Sequence, residues 1–135
     1  MKAHIRNKVI ISIVSIVLAL VCTTAYRFWK FNEMVKSLPV EEPQVTAIAD
    51  GEYEGEYDLS LVYAKVKVTV HQGRIDKIDI LKHDNGNGKA AENIFDKVIK
   101  EQKLGVNTVS GATASSKALL KAVENALKKA ENRGK

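Results

Sequence analysis

The chain has 135 residues, which fits one small domain beside a targeting segment. With 45% hydrophobic and 27% charged residues, it has an ordinary globular composition, and intrinsic disorder is excluded. The net charge of +5 comes without a basic stripe interleaved with aromatic residues, which argues against nucleic-acid binding. Cys22 is the single cysteine, so a disulfide and a cysteine-based metal site are excluded.

The N-terminal region contains an apolar run typical of a membrane-spanning helix. Residues 9–25 carry no charge, and a helix of that length reaches roughly 26 Å, at the short end of the hydrocarbon thickness of a bilayer. Basic residues precede the run and aromatic residues follow it, an order that favours a cytoplasmic N-terminus. They are Lys2, Arg6 and Lys8 before the run and Tyr26, Phe28 and Trp29 after it. We predict an uncleaved anchor over residues 1–30; the alternative is a signal peptide cleaved after Ala25.

A polar stretch follows the anchor. Pro39 and Pro43, the only prolines, lie here beside Glu41 and Glu42, a composition typical of a linker. We predict a linker over residues 31–49. The remaining chain, from residue 50 to residue 135, is predicted to be one soluble domain outside the cytoplasm.

Three segments have the pattern of β-strands. Residues 51–57 and 64–70 alternate small or apolar residues with polar ones, as half-buried strands do. The dipeptide Gln72-Gly73 is a hairpin signal, and residues 74–82 form a third segment whose isoleucines are not strictly alternate. These segments predict an antiparallel meander.

Two segments have helical spacing of apolar residues. Residues 91–99 form the first and end at Leu104-Gly105, and residues 119–130 form the second. Both apolar stripes are predicted to cover one face of the sheet. The fold class is therefore predicted as α+β, a small antiparallel sheet packed by helices and preceded by one N-terminal transmembrane helix.

Residues 107–116 form a hydroxyl-dense loop directly before the last helix. Ser115 or Ser116 is the predicted N-cap, and the free N–H groups of the following turn would stabilise an anion. Gly111 permits a positive φ, and Lys117 supplies a counter-charge. The candidate hydroxyl donors are Ser110, Thr113, Ser115 and Ser116. The alternative is a polar loop that only caps its helix.

The segment Val109-Ser-Gly-Ala-Thr113 resembles the flavinylation signature of the FMN-binding domain family, which also occurs in subunits of sodium-pumping NADH:quinone reductases and of Rnf-type electron-transport complexes. The resemblance implies that a flavin transferase attaches FMN to Thr113 through a phosphoester. The family pattern begins with an aspartate where this chain has Asn107, which keeps the acceptor oxygen but loses the charge. Residues 50–55, 73–78 and 83–92 also resemble short single-domain members.

The resemblance also implies where the other cofactor contacts lie. The backbone around the phosphate would come from Val109, Ser110, Gly111 and Ala112, with Asn107, Ser115 and Ser116 beside it. The flavin ring would contact Tyr53, Tyr57, His83, Asn85, Gly86 and Gly88. Lys89 and Lys117 are further candidates for neutralising the phosphate. The tyrosines could instead pack in the core, and His83 could be a solvent-facing residue at a strand end.

No catalytic side chain and no metal site are predicted. Bound FMN would carry the redox chemistry itself, and the three histidines form no recognisable acid–base set with serines or acids. The sequence indicates an electron-transfer flavoprotein, a redox subunit rather than a stand-alone enzyme, with a membrane donor and a redox partner protein or quinone as acceptor. The alternative is a non-enzymatic module that binds FMN or another phosphorylated ligand reversibly, or that has lost the cofactor and docks partners.

Overall fold

The computed structural model describes residues 1–84 and 88–133, without the side chains of residues 2–4 and 88. The helices are α1 (Lys2–Ser37), α2 (Gly88–Glu92), α3 (Ile94–Glu101) and α4 (Thr113–Arg133), and the strands are β1 (Gly51–Asp58), β2 (Tyr63–His71) and β3 (Arg74–Asp84). A single 3₁₀ turn, Val45–Ala47, precedes β1. The chain divides into two compact units, residues 1–37 and 38–135. The predicted α+β class is confirmed.

The first unit is the helix α1, which continues without interruption through residues 31–37. Its stretch Ile5–Ser37 is long and apolar enough to cross a membrane. The hydroxyls of Ser12, Ser15 and Thr24 each donate to a backbone carbonyl four residues earlier, at 3.0, 2.9 and 3.0 Å. These polar side chains are therefore satisfied within the helix, as an apolar environment requires.

The second unit contains an antiparallel sheet with strand order β1-β2-β3, so the predicted meander is confirmed. The central strand β2 alternates strictly between core and surface. Its core residues are Ala64, Val66, Val68 and Val70, all essentially fully buried. Strict alternation on β2 means that one face of the sheet is apolar and carries the helices.

Two β-bulges in β3 explain why its isoleucines are not strictly alternate. The register shifts between Lys65 and Val66 and between Thr69 and Val70, which leaves Asp76 and Leu81 of β3 without a direct partner. Each bulge inserts one residue, so the next side chain returns to the same face. Across the register Val70 pairs with Ile75, Val68 with Ile78, and Val66 with Ile80.

Helix α4 packs across β1 and β2 through the predicted apolar stripe. The two elements approach each other closely at Gly55 of β1. A Cβ atom there would lie 2.0 Å from the carbonyl oxygen of Ala122 and 2.4 Å from the amide nitrogen of Ala126. Glycine at position 55 thus allows the backbones of β1 and α4 to meet directly.

The five residues after α1, residues 38–42, are hydrogen-bonded along the domain, and we call them the strap. Lys117 Nζ donates to the Leu38 carbonyl at 2.9 Å. At the other end, the Glu42 carboxylate accepts from the Leu104 N–H at 2.9 Å and from the next backbone N–H. The polar, proline-containing stretch predicted as linker therefore includes a segment that is fixed to the domain.

Glu124 is the buried centre of the strap contacts, with 1% of its surface exposed. Its carboxylate accepts from Lys121 Nζ at 2.8 Å, from Lys128 Nζ at 2.8 Å and from the Glu41 N–H at 3.0 Å. Burial by itself raises the pKa of Glu124, but the hydrogen bonds from the two lysines outweigh it and lower the pKa below the ordinary 4.5. The buried charge is therefore compensated.

We predict that Glu124→Gln destabilises the domain at neutral pH and flattens its response to acid. Because the pKa is lower in the folded chain, ionised Glu124 stabilises the fold fully above about pH 4.5, and this stabilisation is lost as the pH falls further. The loss at pH 7 should be about 2 kcal/mol, since charge-assisted hydrogen bonds disappear. Urea unfolding at pH 7 and pH 3.5 measures both effects. Glu131→Gln, an acid of the same helix, is the control, and identical pH profiles for wild type and Glu124→Gln would contradict the prediction.

Candidate functional site

The loop before α4 is a tight turn. The Ala112 N–H donates to the Val109 carbonyl at 3.0 Å, and Gly111 has φ of +76°. A positive φ at the third residue is what a type II turn requires. Nothing lies within 4 Å of the position that a Gly111 Cβ would occupy. The outer side of the turn is therefore open to a ligand.

Helix α4 begins at Thr113, so the predicted N-cap at Ser115 or Ser116 is wrong. The Ala112 carbonyl already accepts the Ser116 N–H at 2.8 Å, which closes the first helical bond before the serines. Both serines are buried in the first turn, and Ser116 Oγ accepts from the Val109 N–H at 3.2 Å. Side chains on a helix lean toward its N-terminus, so Ser116 reaches back and fixes the turn.

Thr113 is an exposed hydroxyl at the N-terminus of a 21-residue helix. The helix dipole and the backbone N–H groups at the start of α4 favour a negative charge there. Lys117 lies one turn later on the same face of α4, and its ammonium donates a hydrogen bond to the Leu38 carbonyl. Ser110 and Asn107 are also exposed, and the Asn107 side chain makes no hydrogen bond to any described residue.

Two of the predicted ring contacts share one row of the sheet. Tyr57 of β1 pairs with Ala64 of β2, and Ala64 pairs with His83 of β3. Directly paired residues project to the same face, so Tyr57 and His83 stand on either side of the small Ala64 side chain, roughly 10 Å apart across the strands. Both are half-buried. This row closes the end of the sheet that leads into the glycine-rich loop.

His83 also presents an unused hydrogen-bonding atom. Its Nε2 is buried and has no hydrogen-bond partner among the described residues. A buried ring nitrogen without a partner is costly, so a ligand group that pairs with it would be stabilised. His83 lies two residues before Asn85, the first loop residue that the resemblance assigns to the flavin ring.

The other predicted ring contacts are placed differently. Tyr53 lies four residues before Tyr57, roughly 13 Å along the strand, and its hydroxyl donates to the Ala49 carbonyl at 2.8 Å. The structure therefore does not bring Tyr53 next to His83. Asn85 and Gly86 lie outside the described residues, and Gly88 is the first residue of α2. Lys89 follows it and is exposed.

The strap contacts indicate which end of the sheet lies near the Val109–Ala112 turn at the start of α4. The strap meets α4 first at Lys117 and then at Lys128, and the chain continues to Thr46, which lies against Gly73 at the β2–β3 turn. Helix α2, which follows the opposite end of β3, packs on α4 as well. We infer that α4 begins on the side of the sheet where His83 lies.

A separate cleft of about 490 Å³ lies between β3 and α3. Its apolar walls are edged by three carboxylates and one lysine, and it contains none of the loop residues. The lining residues are Lys77, Ile78, Asp79, Ile80, Glu92, Phe95, Asp96 and Ile99. Excess negative charge disfavours a phosphate group there. Within residues 5–84 and 89–133, no three His, Cys, Asp or Glu side chains gather to hold a metal ion.

These features define a small α+β domain that offers an exposed threonine, a helix N-terminus and a buried imidazole nitrogen to an anionic ligand. Residues 63–128 match the profile of the FMN-binding domain family, so the chain carries a domain of this family, as its motifs predicted. The match includes His83 and the whole Thr113 loop, whereas both predicted tyrosines precede it. Comparisons with curated proteins and with solved structures gave no match.

FMN is accordingly the cofactor that the domain binds. The residues present fit it. The open backbone at Gly111 and the N-terminus of α4 suit the phosphate, and the unpaired Nε2 of His83 suits a polar edge of the ring. When bound, the isoalloxazine supplies the redox chemistry, while the chain binds, orients and shields it.

Proposed function

We propose that this protein is a membrane-anchored electron-transfer flavoprotein that carries FMN covalently on Thr113. The single observation that supports it most is the exposed Thr113 hydroxyl at the first residue of α4, within the Val109–Thr113 segment and inside the family match. Of the candidate hydroxyl residues in the segment 107–116, Ser115 and Ser116 are buried. Thr113 combines accessibility with the field of the helix N-terminus.

The covalent step makes one bond and breaks one bond. Thr113 Oγ attacks the phosphorus of an activated flavin donor, the new O–P bond forms, and the bond from phosphorus to the donor's leaving group breaks. The hydroxyl proton passes to a base of the flavin transferase. No oxidant or reductant is required. The N–H groups at the start of α4 would stabilise the negative charge of the resulting phosphodiester.

Electron relay is the proposed role because the described residues offer position rather than catalysis. His83 and Tyr57, with Asn85, Gly86 and Gly88 from the adjoining loop, would hold the ring, and His83 Nε2 would donate to or accept from its polar edge. The donor is proposed to be a membrane redox partner, and the acceptor a protein or a quinone.

The anchor and its orientation complete the proposal. Helix α1 has the length and composition of a membrane span, with Lys2, Arg6 and Lys8 on one side and aromatic residues on the other. We propose a single-pass protein of the cell membrane with the flavin domain outside the cytoplasm. The domain would then meet its redox partners at the membrane surface.

The decisive test locates the flavin by mass. The full chain is expressed with and without a flavin transferase, denatured, digested with trypsin and mapped. Cleavage after Lys103 and Lys117 isolates residues 104–117 as one peptide. We expect this peptide to gain the mass of an FMN phosphoester only when the transferase is present. An unmodified peptide from cells whose transferase modifies another substrate would refute covalent attachment.

We further predict that Asn107→Asp speeds flavin loading several-fold when the transferase is limiting. Asn107 is exposed and makes no hydrogen bond to a described residue, so the change restores the family's carboxylate without disturbing the fold. The initial rate of flavin incorporation measures the effect. Asn93→Asp adds the same charge at another exposed position and is the control. Equal rates for all three proteins would show that the amide serves the transferase as well as the acid.

A further inference from the structure

We propose that Lys117 changes partners when the flavin is attached, from the Leu38 carbonyl to the flavin phosphate on Thr113. This exchange would release the first strap residues from α4. The inference rests on the proposed covalent attachment at Thr113, and it adds a mechanical consequence to that attachment. The site of modification and the segment that joins the domain to α1 are linked through one side chain.

The geometry places both acceptors within reach of one ammonium group. Thr113 and Lys117 are four residues apart on α4, which puts their side chains on one face with Cβ atoms about 5–6 Å apart. Long side chains on a helix lean toward its N-terminus, here toward Thr113. Lys117 Nζ now donates to the Leu38 carbonyl at 2.9 Å. Rotation about the torsions of the half-buried lysine side chain can therefore carry the ammonium from one acceptor to the other.

Electrostatics favours the phosphate over the carbonyl. Leu38 offers a neutral acceptor, whereas a phosphodiester on Thr113 carries a full negative charge. The lysine is ionised in both hydrogen bonds, so the difference lies in the acceptor: the phosphodiester adds the Coulomb attraction of a full negative charge, which the carbonyl dipole lacks. The partly buried position of Lys117 reduces screening by solvent and enlarges the difference. Attachment of the flavin should therefore draw the ammonium away from the strap.

The release is confined to the beginning of the strap. Glu41 and Glu42 are held by Glu124, Lys128 and the backbone after α3, and none of these contacts involves Lys117. Residues 38–40 alone would become free, a length of roughly 10 Å when extended. Loading of the flavin would thus lengthen the free segment that precedes Glu41 by these three residues.

A nitroxide label at position 39 measures the release. Pro39 is exposed and lies between the two anchoring points, so Pro39→Cys, in a Cys22→Ser background, carries the label without burying it. The full chain is studied in lipid nanodiscs with and without flavin, and intact mass gives the loaded fraction. We expect the ratio of mobile to immobile label to rise about tenfold on loading, the change that loss of about 1.4 kcal/mol produces.

Two further variants separate the exchange from other causes. Lys117→Met should give the mobile spectrum without flavin and show no additional change on loading. Lys129→Met, at an exposed position of the same helix, should behave as the wild type. An unloaded Lys117→Met protein that stays immobile would overturn the inference, as would a loaded wild type that is equally or less mobile. Absence of flavin from the mass spectrum would instead refute the covalent attachment, and the exchange with it.

Discussion

Thr113→Ala is expected to abolish all flavin that remains on the chain after denaturation. The phosphoester requires a side-chain oxygen at this position, and alanine has none. The change should cost little stability, because Thr113 is exposed at the first residue of α4 and its hydroxyl makes no hydrogen bond to a described residue. In-gel flavin fluorescence and intact mass, after co-expression with the transferase, measure the loss.

Two companion variants make the result specific. Thr113→Ser keeps the hydroxyl and should retain covalent flavin, while Ser110→Ala removes the other exposed hydroxyl of the turn and should leave loading intact. A reversible binder predicts a different outcome, since Thr113→Ala would then only weaken binding and no variant would hold flavin through denaturation. Flavin fluorescence on denatured Thr113→Ala would place the attachment elsewhere.

The attachment loop was predictable from the sequence as a loop, but its internal contacts were not. The serine-rich stretch before an apolar helix indicated a helix start within a few residues, and Ser115 and Ser116 were the two predicted caps. In the structure the Ala112 carbonyl accepts the first helical hydrogen bond, and Ser116 Oγ accepts from the Val109 N–H. Which hydroxyl faces solvent depends on tertiary packing, which buries Ser115 and Ser116.

The sheet shows the same division between local pattern and tertiary detail. Alternation on β2 predicted its strand and its buried face directly. On β3 the pattern was irregular because two bulges realign the isoleucines, and a bulge has no reliable signal in a single sequence. The same bulge near Leu81 brings His83 to the buried face beside Ala64. The row with Tyr57 could therefore be seen only once the register was known.

The strap was the feature that the sequence concealed. Proline and glutamate beside an anchor are typical of a spacer, and the composition alone does not show which groups the carboxylates bind. The Glu41 carboxylate accepts from Lys128 Nζ, and the Glu42 carboxylate accepts from backbone N–H groups. Both partners lie more than 60 residues later in the chain. Glu124, in turn, is an acidic residue within the apolar-periodic segment of α4, yet it is buried against the strap. Long-range polar pairs of this kind leave no local pattern.

Gly55→Ala is expected to destabilise the domain by about 3 kcal/mol or more, because overpacking against backbone cannot be relieved by rotating a side chain. The added Cβ would stand 2.0 Å from the Ala122 carbonyl oxygen and 2.4 Å from the Ala126 nitrogen. Relief would require α4 to move away from β1. Since α4 also carries Thr113 at its start, the rate of flavin loading should fall together with the stability.

Gly111→Ala separates steric overlap from backbone strain. At φ of +76° an alanine is strained by about 1–2 kcal/mol, but its Cβ meets nothing within 4 Å. We therefore expect the free energy of unfolding to be lowest for Gly55→Ala, higher for Gly111→Ala and highest for the wild type. Urea unfolding of the full chain in detergent, followed by circular dichroism, measures it. If Gly55→Ala were as stable as Gly111→Ala, helix α4 could shift from β1 at little cost, and the position of Thr113 would not be fixed by the contact at Gly55.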